Sequence, residues 1–292
     1  MNGIRRVGVL GSGLMGSGIA QVAASCGFET VVRDVSDAAL ARGRTAVEKS
    51  LAKFVEKGQL PADARDAALQ RLTWTTDVGA IATTDIIIEA VTEDLALKTA
   101  LYRELHPRTP DETIFASNTS SLSIVTLAAA SGRPDRFVGL HFFNPVPLMP
   151  LVEVVRAVTT SEATFARALA FARGLGKDAV AARDGSGFIV NRLLVPYLLD
   201  AVRSLEQGTA SVADIDRAMM LGCGHPMGPF TLLDFVGLDT TLRIGEIMFD
   251  EYREPRFAPP ALLRRMVAAG WLGRKSGRGF YDYSVNPPVA AM

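Results

Sequence analysis

Residues 4–34 read "IRRVGVLGSGLMGSGIAQVAASCGFETVVRD", and this stretch decides the fold. Its first seven residues are an apolar run with β-branched members, suited to a short buried strand. A glycine turn follows, and then Met15, Ile19, Val22 and Ala23 recur at helical spacing until Gly27. Residues 29–34, "ETVVRD", return to strand character. Strand, turn, helix and strand over about 30 residues make a βαβ unit and predict a parallel sheet. Two arginines, an apolar run and small residues also imitate a secretory signal. The glycines argue against that, because they interrupt the run at a spacing that has its own explanation.

Gly11, Gly13 and Gly16 are spaced G-x-G-x-x-G between the strand and the helix. The first allows a tight turn, the second lets backbone approach a pyrophosphate, and the third lets the helix lie close to the sheet. The helix start adds unpaired N–H groups and a positive dipole end. Gly11, Gly13, Leu14, Met15 and Gly16 are therefore the candidate contacts to a dinucleotide. Asp34 ends the second strand, where an acid accepts hydrogen bonds from a ribose and repels a 2′-phosphate, so NAD is the expected cofactor. Arg33 keeps NADP open, although strand alternation sets it on the face opposite Thr30, Val32 and Asp34.

Outward from this unit, the pattern predicts a long charged helix over 37–57 and a shorter one after Pro61. Strands are expected over 84–91 and 113–118, with a helix between them from Glu93 to before Pro107. Two more follow at "RFVGLHFF" and "LVEVV", then a helix over 161–176 and a last strand at "DAVAA". After "RDGSG" (183–187) strand-like runs nearly vanish, leaving "GFYDY". The expected fold class is α/β: an N-terminal Rossmann-like, doubly wound domain (1–185) followed by an all-α C-terminal domain (186–292). The final "NPPVAAM" reads as a loose tail.

Among 292 residues, 31 lysines and arginines balance 31 aspartates and glutamates, so no basic surplus points to nucleic acid or to an anionic membrane surface. No uninterrupted run of about 18 apolar residues predicts a membrane span. The longest candidate, "FIVNRLLVPYLLDAV", is broken by Asn191, Arg192 and Pro196. Cys26 and Cys223 form neither a disulfide framework nor a metal spacing, so a reducing, cytoplasmic setting and no metal are expected.

The chemistry gathers in "GLHFFNPVPLMPLVEVV" (139–155). Of three histidines, His106 reads as a surface residue and His225 as a structural hydrogen-bond partner at a helix start. His141 lies at the end of a strand, and ligands of open α/β sheets bind beyond the carboxyl ends of strands. Histidine is the usual general base at neutral pH. The proline-studded turn can fold the chain back and bring Glu153 beside the imidazole, where a carboxylate would fix the tautomer and stabilise an imidazolium. A structural ion pair is the competing reading.

The chain as a whole resembles the L-3-hydroxyacyl-CoA dehydrogenase family. The resemblance runs through "GSGLMGSGIAQ" (11–21), "EAVTEDLALK" (89–98), "ASNTSSLSI" (116–124), "GLHFFNPVPLM", "DGSGFIVNR" (184–192), "HPMGPFTLLDFVGLD" (225–239) and "GRKSGRGFYDY" (273–283). It implies an oxidoreductase that interconverts (S)-3-hydroxyacyl-CoA and 3-oxoacyl-CoA, with short chains such as 3-hydroxybutyryl-CoA favoured. It implies His141 as the base and Glu153 as its orienter, with Ser120 and Asn191 hydrogen-bonding the substrate. Asn118 and Asn144 would line the nicotinamide pocket, and Glu93, Lys98 and Lys275 would contact the cofactor. Ser50 and Lys57 would touch coenzyme A, and the helical half would supply a homodimer contact; the apolar residues Met219, Met220, Leu232, Leu233, Phe235 and Val236 fit either that interface or the core of the helical half. One departure is Pro150, where many members carry lysine.

Two rival readings are weaker. A 3-hydroxyisobutyrate-type dehydrogenase would need a catalytic lysine on the helix after the first domain, and "GSGFIVNRLLVPYLL" (185–199) has none. A non-catalytic, crystallin-like or cofactor-sensing descendant would show losses at His141, Glu153, Ser120 or Asn191, and all four residue types are intact.

Overall fold

The computed structural model describes residues 3–292. They fall into two compact units, divided after Phe188. In the first, β1 (Arg6–Leu10), α1 (Leu14–Ser25) and β2 (Glu29–Arg33) form the expected βαβ unit. Next come α2 (Asp37–Glu56) and α3 (Ala62–Gln70), which pack on α1 through Ala24, Val47, Leu51 and Ala68 and reach the sheet at Leu72 and Trp74. The chain continues through β3 (Leu72–Thr75), α4 (Val78–Ile81), β4 (Ile86–Glu89), α5 (Leu95–Leu105), β5 (Ile114–Ser117) and α6 (Ile124–Ala130). It ends with β6 (Phe137–Phe142), β7 (Leu151–Arg156), α7 (Glu162–Gly174) and β8 (Asp178–Arg183).

The eight strands form one sheet in the order β3-β2-β1-β4-β5-β6-β7-β8. Every neighbouring pair is parallel except β6 and β7, which form an antiparallel hairpin. The strand order reverses direction at β1, so a crevice opens beyond the carboxyl ends of β1 and β4, where such sheets bind ligands. Both faces are covered. Val9, Val32, Ile86 and Ile88 pack with Ile19 of α1 and Phe171 of α7, while Ile87 packs with Tyr102, Leu105, Phe115 and Leu127 on the other face. Double burial explains why "TDIIIEAV" reads as a continuous apolar run and not as an alternation.

Three elements go beyond the sequence reading. β3 is a four-residue edge strand whose side chains are partly exposed, so its character comes from pairing with β2. α4 is a single turn capped by Asp77. The seven residues of α6 are capped from far away, since the Asp184 carboxylate accepts from the amides of Ile124 and Val125.

The second unit holds α8 (Val190–Glu206), α9 (Val212–Cys223), α10 (Pro229–Val236), α11 (Leu238–Tyr252) and α12 (Ala261–Ala268). Val195, Leu199, Val202, Phe230, Leu233, Phe257 and Phe280 form its core. Two buried carboxylates tie it together. Asp216 accepts from the Phe230 and Thr231 amides at the start of α10, and Asp234 from the amides of Phe280 and Tyr281. A small antiparallel pair closes the chain, β9 (Tyr281–Asp282) with β10 (Val289–Ala290). The end of the chain, expected to be loose, therefore returns in part as a strand. Among the described residues no helix is long and apolar enough to cross a membrane.

Candidate active site

At the carboxyl end of β1 the chain turns through Gly11 at φ +95°, where a Cβ would lie 2.7 Å from the Ala90 carbonyl oxygen. A Cβ on Gly16 would collide with the Gly11 carbonyl, so the third glycine sets the approach of α1 to the turn. Gly13 differs: a Cβ there meets no protein atom within 4 Å, and the space it would fill is open to a ligand. α1 starts at Gly13 with no side-chain cap and no acid in its first turn, leaving its first N–H groups to an anion.

A cavity of about 720 Å³ opens here, walled by Gly11, Gly13, Leu14, Asp34, Ser50 and Asn144 among others. Met15 packs on the sheet core and Gly16 is buried, so either would offer a ligand its backbone amide alone. Lys57 is the exposed C-cap of α2 and is not on the cavity wall.

Asp34 is held firmly: Oδ2 accepts from the Ser12 amide and hydroxyl, both at 2.7 Å, and Oδ1 from the Val35 amide at 2.7 Å. Burial alone would raise its pKa, but these donors and Arg33 outweigh burial and hold it below the usual carboxylate range. The expected separation of Arg33 from this site does not hold. Asp34 lies just past the end of β2, where alternation lapses, and Arg33, Asp34 and Arg42 all line the same cavity.

The antiparallel register pairs His141 directly with Glu153. The imidazole Nδ1 lies 2.6 Å from Glu153 Oε2; Glu153 is fully buried and His141 is 6% exposed. The rings of Phe143 and Phe188 flank the imidazole, with centroids at 4.5 and 5.6 Å. The neighbouring strand ties in as well, since Asn118 Oδ1 accepts from the Phe142 amide at 2.9 Å.

Between the cavity and β5 lies a charged cluster that the sequence reading saw only in part. Lys98, 1% exposed, donates to Glu89 at 2.7 Å and to Glu93 at 2.9 Å. Its ammonium is committed to those carboxylates. Glu93 in turn accepts from the Thr119 hydroxyl, the Ser120 amide (3.2 Å) and the Ser121 hydroxyl (3.1 Å). Burial pushes the Glu89 carboxyl up despite Lys98 and Ser117; at Glu93 the opposing pull of Lys98 and Thr119 outweighs burial and the carboxyl lies low. Glu89, Ser117 and Thr119 went unnoticed in the sequence, although an acid closing the apolar run "IIIE" was a visible signal.

In the helical unit, Asn191 stands in the first turn of α8 and Lys275 pairs with Asp239 at 2.6 Å. His225 makes the structural contact expected of it, with Tyr197 Oη 3.3 Å from Nδ1. His106 is not a plain surface residue, because its Nδ1 accepts from the buried Arg133 at 3.3 Å. No group of three or more metal-capable side chains occurs among the described residues.

Comparison with known proteins matches residues 6–185 to the family "3-hydroxyacyl-CoA dehydrogenase, NAD binding domain" and residues 187–283 to "3-hydroxyacyl-CoA dehydrogenase, C-terminal domain". The chain belongs to the 3-hydroxyacyl-CoA dehydrogenase family. It is 51% identical to a 3-hydroxybutyryl-CoA dehydrogenase of Mycobacterium tuberculosis, over 96% of this chain and 99% of the relative. Against the mitochondrial hydroxyacyl-coenzyme A dehydrogenase of Sus scrofa the identity is 46%, covering 96% and 91%. The crystal structure of (S)-3-hydroxybutyryl-CoA dehydrogenase from Ralstonia eutropha superposes with a TM-score of 0.94 at 45% identity, covering 97% and 100%. As a member of this family the chain is an NAD-dependent oxidoreductase, and the open space at Gly13, the uncapped start of α1 and the anchored Asp34 fit that cofactor.

Proposed function

We propose that this dehydrogenase interconverts (S)-3-hydroxyacyl-CoA and 3-oxoacyl-CoA, with the four-carbon pair 3-hydroxybutyryl-CoA and acetoacetyl-CoA as substrates. The observation that carries the proposal is the buried 2.6 Å contact between His141 Nδ1 and Glu153. An ionised Glu153 can only accept, so Nδ1 carries the ring proton and Nε2 keeps a lone pair. In oxidation Nε2 takes the 3-hydroxyl proton; in reduction it returns a proton to the developing alkoxide. NAD, when bound, supplies the acceptor or donor of the hydride. Glu153 holds the ring in one tautomer and balances the imidazolium that forms. Base catalysis of this kind contributes about 10²- to 10⁴-fold, and positioning adds to it.

The other roles follow from the same reading. Ser120 and Asn191 hydrogen-bond the substrate oxygens; Asn118 and Asn144 meet the nicotinamide end; Glu93 reaches the cofactor, with Lys98 behind it, and Lys275 adds a cation. Ser50, on the cavity wall, and Lys57, further along the same helix, receive coenzyme A. A homodimer through the helical unit is supported by the exposure of Met220, Phe235 and Val236, whereas Leu233 belongs to the core. Light scattering on the purified chain tests that assembly.

The test of the reaction follows NADH absorbance at 340 nm with acetoacetyl-CoA for wild type and His141→Ala. Turnover that falls by at least about 10²-fold in a variant that still binds NADH supports the assignment. Turnover that survives the substitution removes His141 from the mechanism, and an inactive wild type removes the substrate.

A further inference from the structure

Two carboxylates face a single buried ammonium, and one of them has no part in the chemistry above. Glu93 alone would neutralise Lys98. Glu89, fully buried at the end of β4, is the surplus charge. Burying a further ion is costly compared with hydrocarbon of the same size, so the stability of the fold does not account for it.

We propose that Glu89 is a positioning residue, which holds the loop 118–121 so that Ser120 meets the substrate oxygen; the inference rests on the reaction proposed above. The bonds run in two directions. Glu89 Oε2 accepts from the Ser117 hydroxyl at 2.7 Å, and that hydroxyl accepts from the Thr119 amide at 3.2 Å. Glu89 Oε1 accepts from the Val91 amide at 2.8 Å and from Lys98 at 2.7 Å. Lys98 passes on to Glu93, whose Oε1 gathers Thr119, the Ser120 amide and Ser121.

All of Glu89's side-chain partners donate, which suits a carboxylate and leaves a protonated acid short of an acceptor. The Glu89 carbonyl also accepts from the Asn118 amide at 2.8 Å, next to the carboxamide that holds Phe142 beside His141. The carboxylate thus reaches the loop by two routes, directly through Ser117 to Thr119 and through Lys98 and Glu93 to residues 119–121, while the backbone bond to Asn118 fixes where the loop begins. None of these bonds uses the Ser120 hydroxyl, which stays available to a substrate. A fully connected polar net of this kind fixes one loop geometry, as positioning within a fraction of an ångström requires.

The test is a double-mutant cycle on the full chain with Glu89→Gln, Ser120→Ala and both together. kcat/KM for acetoacetyl-CoA is measured, together with the NADH dissociation constant by fluorescence. Glu89→Gln should lower kcat/KM by roughly 10²-fold while NADH affinity stays within about twofold. In the Ser120→Ala background the same substitution should cost no more than about twofold, because the group it positions is gone. Losses that multiply in the double variant, or NADH affinity that falls in step with turnover, would overturn the proposal. If circular dichroism shows that Glu89→Gln does not fold, Ser117→Ala takes its place in the cycle, since it cuts only the Oε2 grip; the same two outcomes decide. An inactive wild type would instead sink the reaction and the inference with it, a result distinct from an active enzyme with multiplying losses.

Discussion

Replacing Glu153 with glutamine isolates the role of its charge. The side chain is isosteric and fully buried, and it sits opposite His141 in a strand held by antiparallel pairing with β6 and parallel pairing with β8, so the fold has little reason to move. Two things change. The imidazolium formed during oxidation loses its counter-ion, and an uncompensated buried charge costs about 3–5 kcal/mol. The glutamine NH2 can also donate to Nδ1, which moves the ring proton to Nε2 and blocks the base. At about 1.4 kcal/mol per decade the first effect alone lowers kcat by about 10²- to 10⁴-fold. The assay is NADH oxidation by acetoacetyl-CoA at saturating concentrations of both, with NADH binding and thermal unfolding measured alongside. Turnover of the Glu153→Gln protein within about threefold of wild type would refute the reasoning, since a bond of this kind to a charged group is worth at least about 1.5 kcal/mol.

Further outcomes are expected elsewhere. Asp34→Ser removes the carboxylate from a wall that already carries Arg33 and Arg42, so the ratio of kcat/KM for NADPH over NADH should rise at least about tenfold; an unchanged ratio would acquit Asp34 of cofactor choice. Because Asp34 titrates below its ordinary value of about 4, its stabilisation is full above that value and fades as pH falls through the lower folded one. The melting-temperature gap between wild type and Asp34→Asn should therefore be present at neutral pH and close in acid, and a gap that widens in acid would contradict the sign. In the helical unit, Asp216→Ala strips the Phe230 and Thr231 amides, the Thr231 hydroxyl and the Tyr281 hydroxyl of their acceptor. Urea unfolding should show a loss of about 2–4 kcal/mol, and a loss under about 0.5 kcal/mol would mean that water replaces the carboxylate at no cost.

The parts of this molecule that could be read from the sequence are those whose cause is local. The β1–α1–β2 unit announces itself because a glycine turn, a helical period and a β-branched strand follow one another without a gap, and the structure keeps them in that order. The pairing of His141 with Glu153 was within reach because one short turn joins the two strands. Where the cause lies far along the chain, the reading stops. α6 depends on a cap from Asp184, sixty residues on by hydrogen bond, and β3 on the edge of β2. β10 exists only because β9 is there to receive it. The failure at Arg33 has the same origin, because alternation predicts side-chain direction inside a strand and Asp34 lies one residue beyond its end.

The acids show how this limit bears on function. Glu93 and Lys98 stand out in one short stretch, and family resemblance gives both to the cofactor, yet the structure commits the ammonium of Lys98 to two carboxylates and leaves it 1% exposed. A residue so enclosed acts through its neighbours. What Lys98 contributes is the hold on Glu93, and what Glu93 contributes is the hold on residues 119–121, which come from a different strand end. Two loops that are separate in sequence become one piece only through charges that neither loop could afford to bury alone. The site's precision is therefore a property of the sheet's carboxyl edge as a whole, where β4, β5 and the β6–β7 hairpin each end in a polar side chain bonded to its neighbour: Glu89 to Ser117, Asn118 to Phe142, and His141 to Glu153.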